Sequence, residues 1–117
     1  MTGPDTDDPR EQAVEQLTEL GLGLYAARTF VALTVLSGGT AVEVSRTADV
    51  PRTRVYDATE ELAEWNLVDI ADTTPQEFSP VDSDEAAARF LEEYQDRIET
   101  FRAALSALGD GRPRSEN

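Results

Sequence analysis

The sequence predicts a mainly α-helical fold: a winged helix-turn-helix with a two-stranded β-hairpin wing and a long C-terminal dimerisation helix. Three observations predict it. Within residues 48–70 (ADVPRTRVYDATEELAEWNLVDI), Val55, Ala58, Leu62 and Trp65 form an apolar helical stripe, while Arg52, Thr53, Tyr56 and Asp57 lie opposite, near the helix start. After Asn66 the period falls from 3.6 toward 2, as Leu67-Val68-Asp69-Ile70 begins a strand. A polar-tipped helix running straight into a hairpin is the arrangement that a winged helix-turn-helix offers to the major groove of DNA. Finally, Leu91, Tyr94, Ile98, Phe101, Leu105 and Leu108 alternate spacings of three and four, a heptad seam suited to a partner helix.

In chain order, residues 1–10 (MTGPDTDDPR) are polar and acidic with two prolines, and read as a disordered tail. Glu11 to Leu20 places Val14, Leu17 and Leu20 on one helical face and ends at Gly21. From Leu24 to Leu36 the apolar positions cover most of the circumference, the pattern of a central buried helix closed by residues 37–40 (SGGT). Ala41 to Ala48 is a short helix with Val42 and Val44 inward. The helix of residues 51–65 follows, with Pro51 suited to its first position because the missing N–H would be unpaired there. Strands are expected over Leu67–Asp72 and Gln76–Val81, with Leu67, Val68, Ile70, Phe78 and Val81 inward and Pro75 and Pro80 limiting the ladder. Ser83 is the expected N-cap of the last helix, with Asp84 and Glu85 in its dipole-favoured first turn. The organisation is thus an acidic tail (1–10), a winged helix-turn-helix (11–82), a long helix forming a coiled-coil dimer (83–109) and a second disordered tail (110–117).

Composition excludes several functions. Cysteine and histidine are both absent, which removes disulfides, thiolate and imidazole metal ligands, and the commonest nucleophile and general base. There is no glycine-rich phosphate loop, and the adjacent pairs Glu60-Glu61 and Glu92-Glu93 point to different helix faces. No catalytic residue, cofactor or metal is therefore expected. The longest apolar run, residues 30–36, is too short to span a bilayer, and the acidic N-terminus is no signal peptide. A cytoplasmic protein is expected.

Charge is the unusual feature. Twenty-four acidic residues stand against ten basic ones, all arginine, for a net charge of −14. Such a balance normally disfavours a polyanionic partner. Abundant carboxylates, no lysine, and many small Ala and Thr residues together resemble haloarchaeal proteins adapted to a salt-saturated cytoplasm. The acid is also unevenly spread. Residues 1–20 hold six acids and one Arg, whereas residues 45–56 hold three Arg and one Asp.

The segments Gly21-Leu22, Tyr25-Ala26-Ala27-Arg28 and Val50-Pro51-Arg52-Thr53-Arg54-Val55-Tyr56-Asp57 resemble the DNA-binding domain of the TrmB-like family of archaeal transcriptional regulators. The resemblance covers residues 17 to 86 and implies double-stranded DNA as partner. Three positions depart from the family pattern. Gly23-Leu24 replaces Ser-Glu, removing a helix cap. Asn66 replaces a Gly before the strand, and the wing (Thr74-Pro75-Gln76-Glu77-Phe78) lacks the usual Lys and Arg. Larger family members also carry a sugar-sensing domain. This chain is too short for one, so no small-molecule effector is expected.

Arg52, Thr53, Arg54 and Tyr56 are the candidate DNA contacts, since a helix N-terminus favours phosphate and Arg adds bidentate contacts. The structural alternative pairs Arg52 and Arg54 with Asp49, Asp57 or other nearby carboxylates. Ser45 and Arg46 are candidates for the phosphate backbone, or else an ordinary polar face. Arg28 and Trp65 are read as structural. The resulting expectation is a homodimeric, sequence-specific transcriptional regulator whose two recognition helices enter successive half-sites ~34 Å apart. The competing expectation is a winged-helix module that binds another protein instead of DNA.

Overall fold

A computed structural model describes residues 8–110. Five helices and three short strands follow one another as α1 (Pro9–Glu19), α2 (Leu24–Leu36), β1 (Gly39–Thr40), α3 (Ala41–Ala48), α4 (Arg52–Glu64), β2 (Val68–Ala71), β3 (Glu77–Pro80) and α5 (Ser83–Asp110). Residues 1–7 and 111–117, which carry most of both expected tails, lie outside the described residues.

Local chemistry explains most element boundaries. α1 starts two residues before the expected position, because the Asp8 carboxylate accepts from the Arg10 N–H (3.0 Å) and Pro9 needs no partner there. α2, α3 and α4 are each followed by a non-glycine residue in the left-handed region: Ser37, Asp49 and Asn66. Asn66 therefore does the work of the missing glycine at φ 61°. At α3, Thr40 and Glu43 form a reciprocal capping box, the Glu43 N–H donating to Thr40 Oγ1 (3.3 Å) and the Thr40 N–H to Glu43 Oε1 (2.9 Å).

Two cap assignments differ from the sequence reading. Pro51 stands at the N-cap of α4 with extended backbone (φ −56°, ψ 138°), so Arg52 is the first helical residue. The N-cap of α5 is Asp82, not Ser83: its Oδ1 accepts from the Glu85 N–H at 2.8 Å. A carboxylate there opposes the positive end of the helix dipole better than a hydroxyl does.

The core lies between α2, α3, α4 and the sheet. Phe78, Leu33, Leu62, Leu67, Val44 and Val55 are fully enclosed. α4 buries Val55, Ala58, Thr59 and Leu62, the expected stripe with Thr59 added. α2 buries one broad face, but Leu24 and Val35 are about half exposed, so it is central without being surrounded.

The sheet has three strands, not two. β3 is central and antiparallel to both neighbours, with order β1-β3-β2 and registers Gly39↔Phe78 and Ile70↔Phe78. Residues 39–40, expected only to close α2, add this edge. Gly38, at φ 104°, permits the approach: a Cβ there would sit 3.1 Å from the Phe78 carbonyl oxygen. Ile70 also departs from expectation: it shares the face of Val68 by strand alternation, yet it is 42% exposed, because only the Val68 end of β2 is covered by the core.

α5 leaves the domain after its second turn. Ala86 and Phe90 are buried, the Phe90 ring lies 4.7 Å from that of Trp65, and Arg89 Nε donates to the Asn66 carbonyl (3.3 Å). Beyond Phe90 every large apolar side chain of the helix is exposed. Among the described residues, no helix is long and apolar enough to cross a membrane.

Candidate nucleic-acid interface

The candidate residues meet at the turn between α3 and α4. Asp49 reverses the chain in the left-handed conformation, Val50 drops into the core at 2% exposed, and Pro51 leads into α4. Ser45 braces this turn, its hydroxyl donating to the Val50 carbonyl at 2.6 Å. That use of its one proton leaves Ser45 half-buried and without a hydrogen for a phosphate oxygen.

Arg52, Thr53, Arg54 and Tyr56 all lie exposed on the first two turns of α4, and Arg46 is exposed at the end of α3. No side chain caps α4, so its first N–H groups and the positive end of its dipole face outward. The carboxylate pairing considered for Arg52 and Arg54 is not formed. Among the described residues the ion pairs are Arg89–Glu85 (2.7 Å) and Arg97–Glu93 (3.4 Å), both within α5. Arg54 instead lies over the Tyr25 ring, its Cζ 5.7 Å from the centroid. Sequence reasoning missed this contact. Tyr25 belongs to the first turn of α2, and only the tertiary fold brings it under α4. Arg28 sits half-buried in a groove shared with Val31, Thr47 and Asp49, beside the same turn.

A second missed residue is Glu61. The N-cap of α2 is Gly23, which offers no side chain, but Glu61 Oε2 on α4 accepts the Gly23 N–H at 2.7 Å. The side-chain cap is absent, as the Gly23-Leu24 departure implies, and Glu61 instead holds the N–H of the N-cap residue from across the core. A Cβ on Gly23 would lie 3.1 Å from Glu61 Oε1, so the bare glycine leaves room for it. The acidic half of α4 is in part structural.

The wing offers little to a phosphate. Residues 67–88 contain six acids and no Arg, and the loop 72–76 between β2 and β3 is exposed throughout.

A helical turn motif with an open-ended, arginine-bearing second helix, followed by a small antiparallel wing, defines a winged helix-turn-helix. A family model described as sugar-specific transcriptional regulator TrmB matches residues 17–84, more than half of the chain, and the protein belongs to that family. Among curated relatives, the HTH-type sugar sensing transcriptional regulator TrmBL1 of Pyrococcus furiosus is 29% identical over 98 residues, covering 84% of this chain and 29% of its own length. The DNA-binding HTH-type transcriptional repressor TrmBL2 of Thermococcus kodakarensis is 30% identical over 90 residues, 76% of this chain and 34% of its own. The chain therefore spans about a third of the length of the curated relatives it matches.

Solved structures agree on the fold. That of TrmBL2, described as an archaeal chromatin protein with a novel mode of DNA binding, superposes with a TM-score of 0.80 at 25% identity, over 86% of this chain and 40% of that one. A MarR-family transcriptional regulator from Silicibacter pomeroyi gives 0.54 at 15% identity, covering 92% and 84%. The sequence resemblance to the TrmB family is thus confirmed. These relatives are transcriptional regulators or DNA-binding proteins, not enzymes.

Proposed function

We propose that this chain is a sequence-specific, DNA-binding transcriptional regulator acting as a homodimer in a high-salt cytoplasm of the haloarchaeal kind. One observation carries the reading: the uncapped start of α4 presents Arg52, Thr53, Arg54 and Tyr56 to solvent, with neither arginine in an ion pair among the described residues. The same stretch is the least acidic part of a chain of net charge −14. The similarity to TrmBL2, a DNA-binding repressor, supports the choice of double-stranded DNA. Arg52 and Arg54 read base edges or phosphates, Thr53 and Tyr56 add polar contacts, Arg46 meets the backbone, and Ser45 keeps the turn in shape. The wing plays a small part. The exposed seam of α5, from Leu91 to Leu108, joins the two copies.

The test is fluorescence polarisation with genomic fragments in molar KCl. The unaltered protein selects particular sequences; failure to prefer any sequence overturns the reading. The double variant Arg52→Glu/Arg54→Glu loses roughly 100-fold in affinity, since two well-placed arginine contacts are each worth about 1–3 kcal/mol. Sedimentation should show the dimer intact. A variant that keeps DNA affinity but loses a protein partner identifies a winged-helix interaction module instead.

A further inference from the structure

The part of α5 beyond Phe90 carries an exposed apolar stripe, and its sequence distinguishes the directions in which a second helix could pair with it. Leu91, Tyr94, Ile98, Phe101, Leu105 and Leu108 range from 38% exposed at Tyr94 to 69% at Leu108. They form one stripe, about a quarter turn from the Ala86–Phe90 side that packs on the domain. Monomeric proteins rarely leave an apolar patch larger than roughly a few hundred Å² open to water.

Charge distinguishes the two ways of pairing such a stripe with a second copy. With the six residues at heptad positions a and d, the preceding g positions are Phe90, Arg97 and Ala104, and the following e positions are Gln95, Arg102 and Gly109. In a parallel pair, each g residue faces the e residue five places further along the other helix. Arg97 of each copy would then face Arg102 of the other, twice per dimer. In an antiparallel pair g faces g and e faces e, so Arg97 meets Ala104 and Arg102 meets Gln95. The wider charge pattern agrees. Residues 83–96 carry five acids and one Arg (1 − 5 = −4), whereas residues 97–110 carry two of each (2 − 2 = 0). Parallel pairing sets −4 beside −4; antiparallel pairing sets it beside zero.

Side-chain volume selects the same arrangement. An antiparallel pair centred between Ile98 and Phe101 forms the layers Leu91–Leu108, Tyr94–Leu105 and Ile98–Phe101, each made twice. All six residues are used, and every aromatic ring meets an aliphatic side chain. A parallel pair stacks Tyr94 on Tyr94 and Phe101 on Phe101, alternating bulky layers with thin ones.

We propose that α5 pairs antiparallel with α5 of a second copy through these six residues, which sets the two winged domains at opposite ends of the paired helices. The proposal rests on the homodimer of the preceding section and specifies its geometry. Glu85 lies 14–15 residues from the midpoint, so the two Glu85 positions are about 45 Å apart along the axis, at about 1.5 Å per residue. Thr100 lies beside the midpoint.

The absence of cysteine makes single-site labelling direct. Glu85→Cys and Thr100→Cys, both exposed and off the seam, are each made in the full chain and spin-labelled for pulsed dipolar distance measurement. Circular dichroism checks the fold, and sedimentation the assembly. The expected result is a dimer with a long distance, about 45 Å, at residue 85 and a short one, about 20 Å or less, at residue 100. A dimer with short distances at both sites is parallel and overturns the proposal while leaving the DNA-binding reading intact. A dimer with a long distance at residue 100 places the interface elsewhere and overturns it too. A monomer overturns the homodimer itself, whereas loss of sequence-selective DNA binding is read separately by polarisation.

Discussion

Arg54 is held by Tyr25, and that contact has consequences for affinity. An arginine over a tyrosine face gains about 0.5–1 kcal/mol at an exposed site. It also arrives at the nucleic acid with fewer rotamers to lose. Tyr25→Leu removes the ring face and is expected to weaken DNA binding about two- to fivefold, the equivalent of that energy. Tyr25→Phe keeps the face and stays near the unaltered affinity. Polarisation on a selected fragment measures both. Equal losses in the two variants assign the effect to the phenol hydroxyl and overturn the stacking account. The candidates on α4 itself were legible because Arg52, Thr53, Arg54 and Tyr56 are polar residues crowded at the start of a helix whose apolar stripe begins at Val55. Tyr25 was not, since it stands 29 positions before Arg54. Ser45 was legible as polar but not as the brace of its own turn, which depends on the left-handed backbone of Asp49.

At the scale of elements, local signals located the helices and non-local ones corrected their ends. Each of α1 to α5 overlaps its expected span because an apolar period of 3.6 survives without knowledge of the fold. β1 was invisible: two residues, Gly39 and Thr40, have no period, and their pairing is dictated by Phe78 and Glu77 almost forty residues later. The side-chain cap of α2 is absent as expected, but the Glu61 contact that holds the Gly23 N–H was invisible for the same reason, because the two lie 38 residues apart. Glu61 ties the start of α2 to the third turn of α4, so it fixes α4 against the core. Glu61→Ala leaves the Gly23 N–H unpaired and is expected to lower unfolding free energy by about 1 kcal/mol, the net worth of one hydrogen bond. Gly23→Ser in the Glu61→Ala background regains only roughly 0.3 kcal/mol, because a serine hydroxyl caps the N–H groups two or three residues on and leaves its own N–H unpaired. Urea unfolding in constant KCl measures the series. If Gly23→Ser restores the full loss, the Glu61 carboxylate acts as a replaceable helix cap and not through the Gly23 N–H.

For the whole molecule the open question is how a chain of net charge −14 meets DNA, and salt dependence answers it. The proposed contact set contains three arginines per copy, Arg46, Arg52 and Arg54, hence at most six in a dimer. Neutralising six phosphates gives a slope of log K against log [KCl] of about −5. Asp49 and Asp57 flank these arginines, and the wing adds Asp69, Asp72 and Glu77. Where these carboxylates approach phosphates, potassium ions must be kept or taken up on binding, which opposes counterion release. The expected slope is therefore shallower than about −5, so that appreciable affinity survives molar KCl, where a basic regulator with the same number of contacts would dissociate. Titrations over a tenfold range of KCl on one selected fragment give the value. A slope steeper than −5 requires more phosphate contacts than these arginines provide, and would move the interface off the start of α4. The Arg52→Glu/Arg54→Glu variant separates the two cases, because a binding mode centred elsewhere keeps its slope when both are reversed.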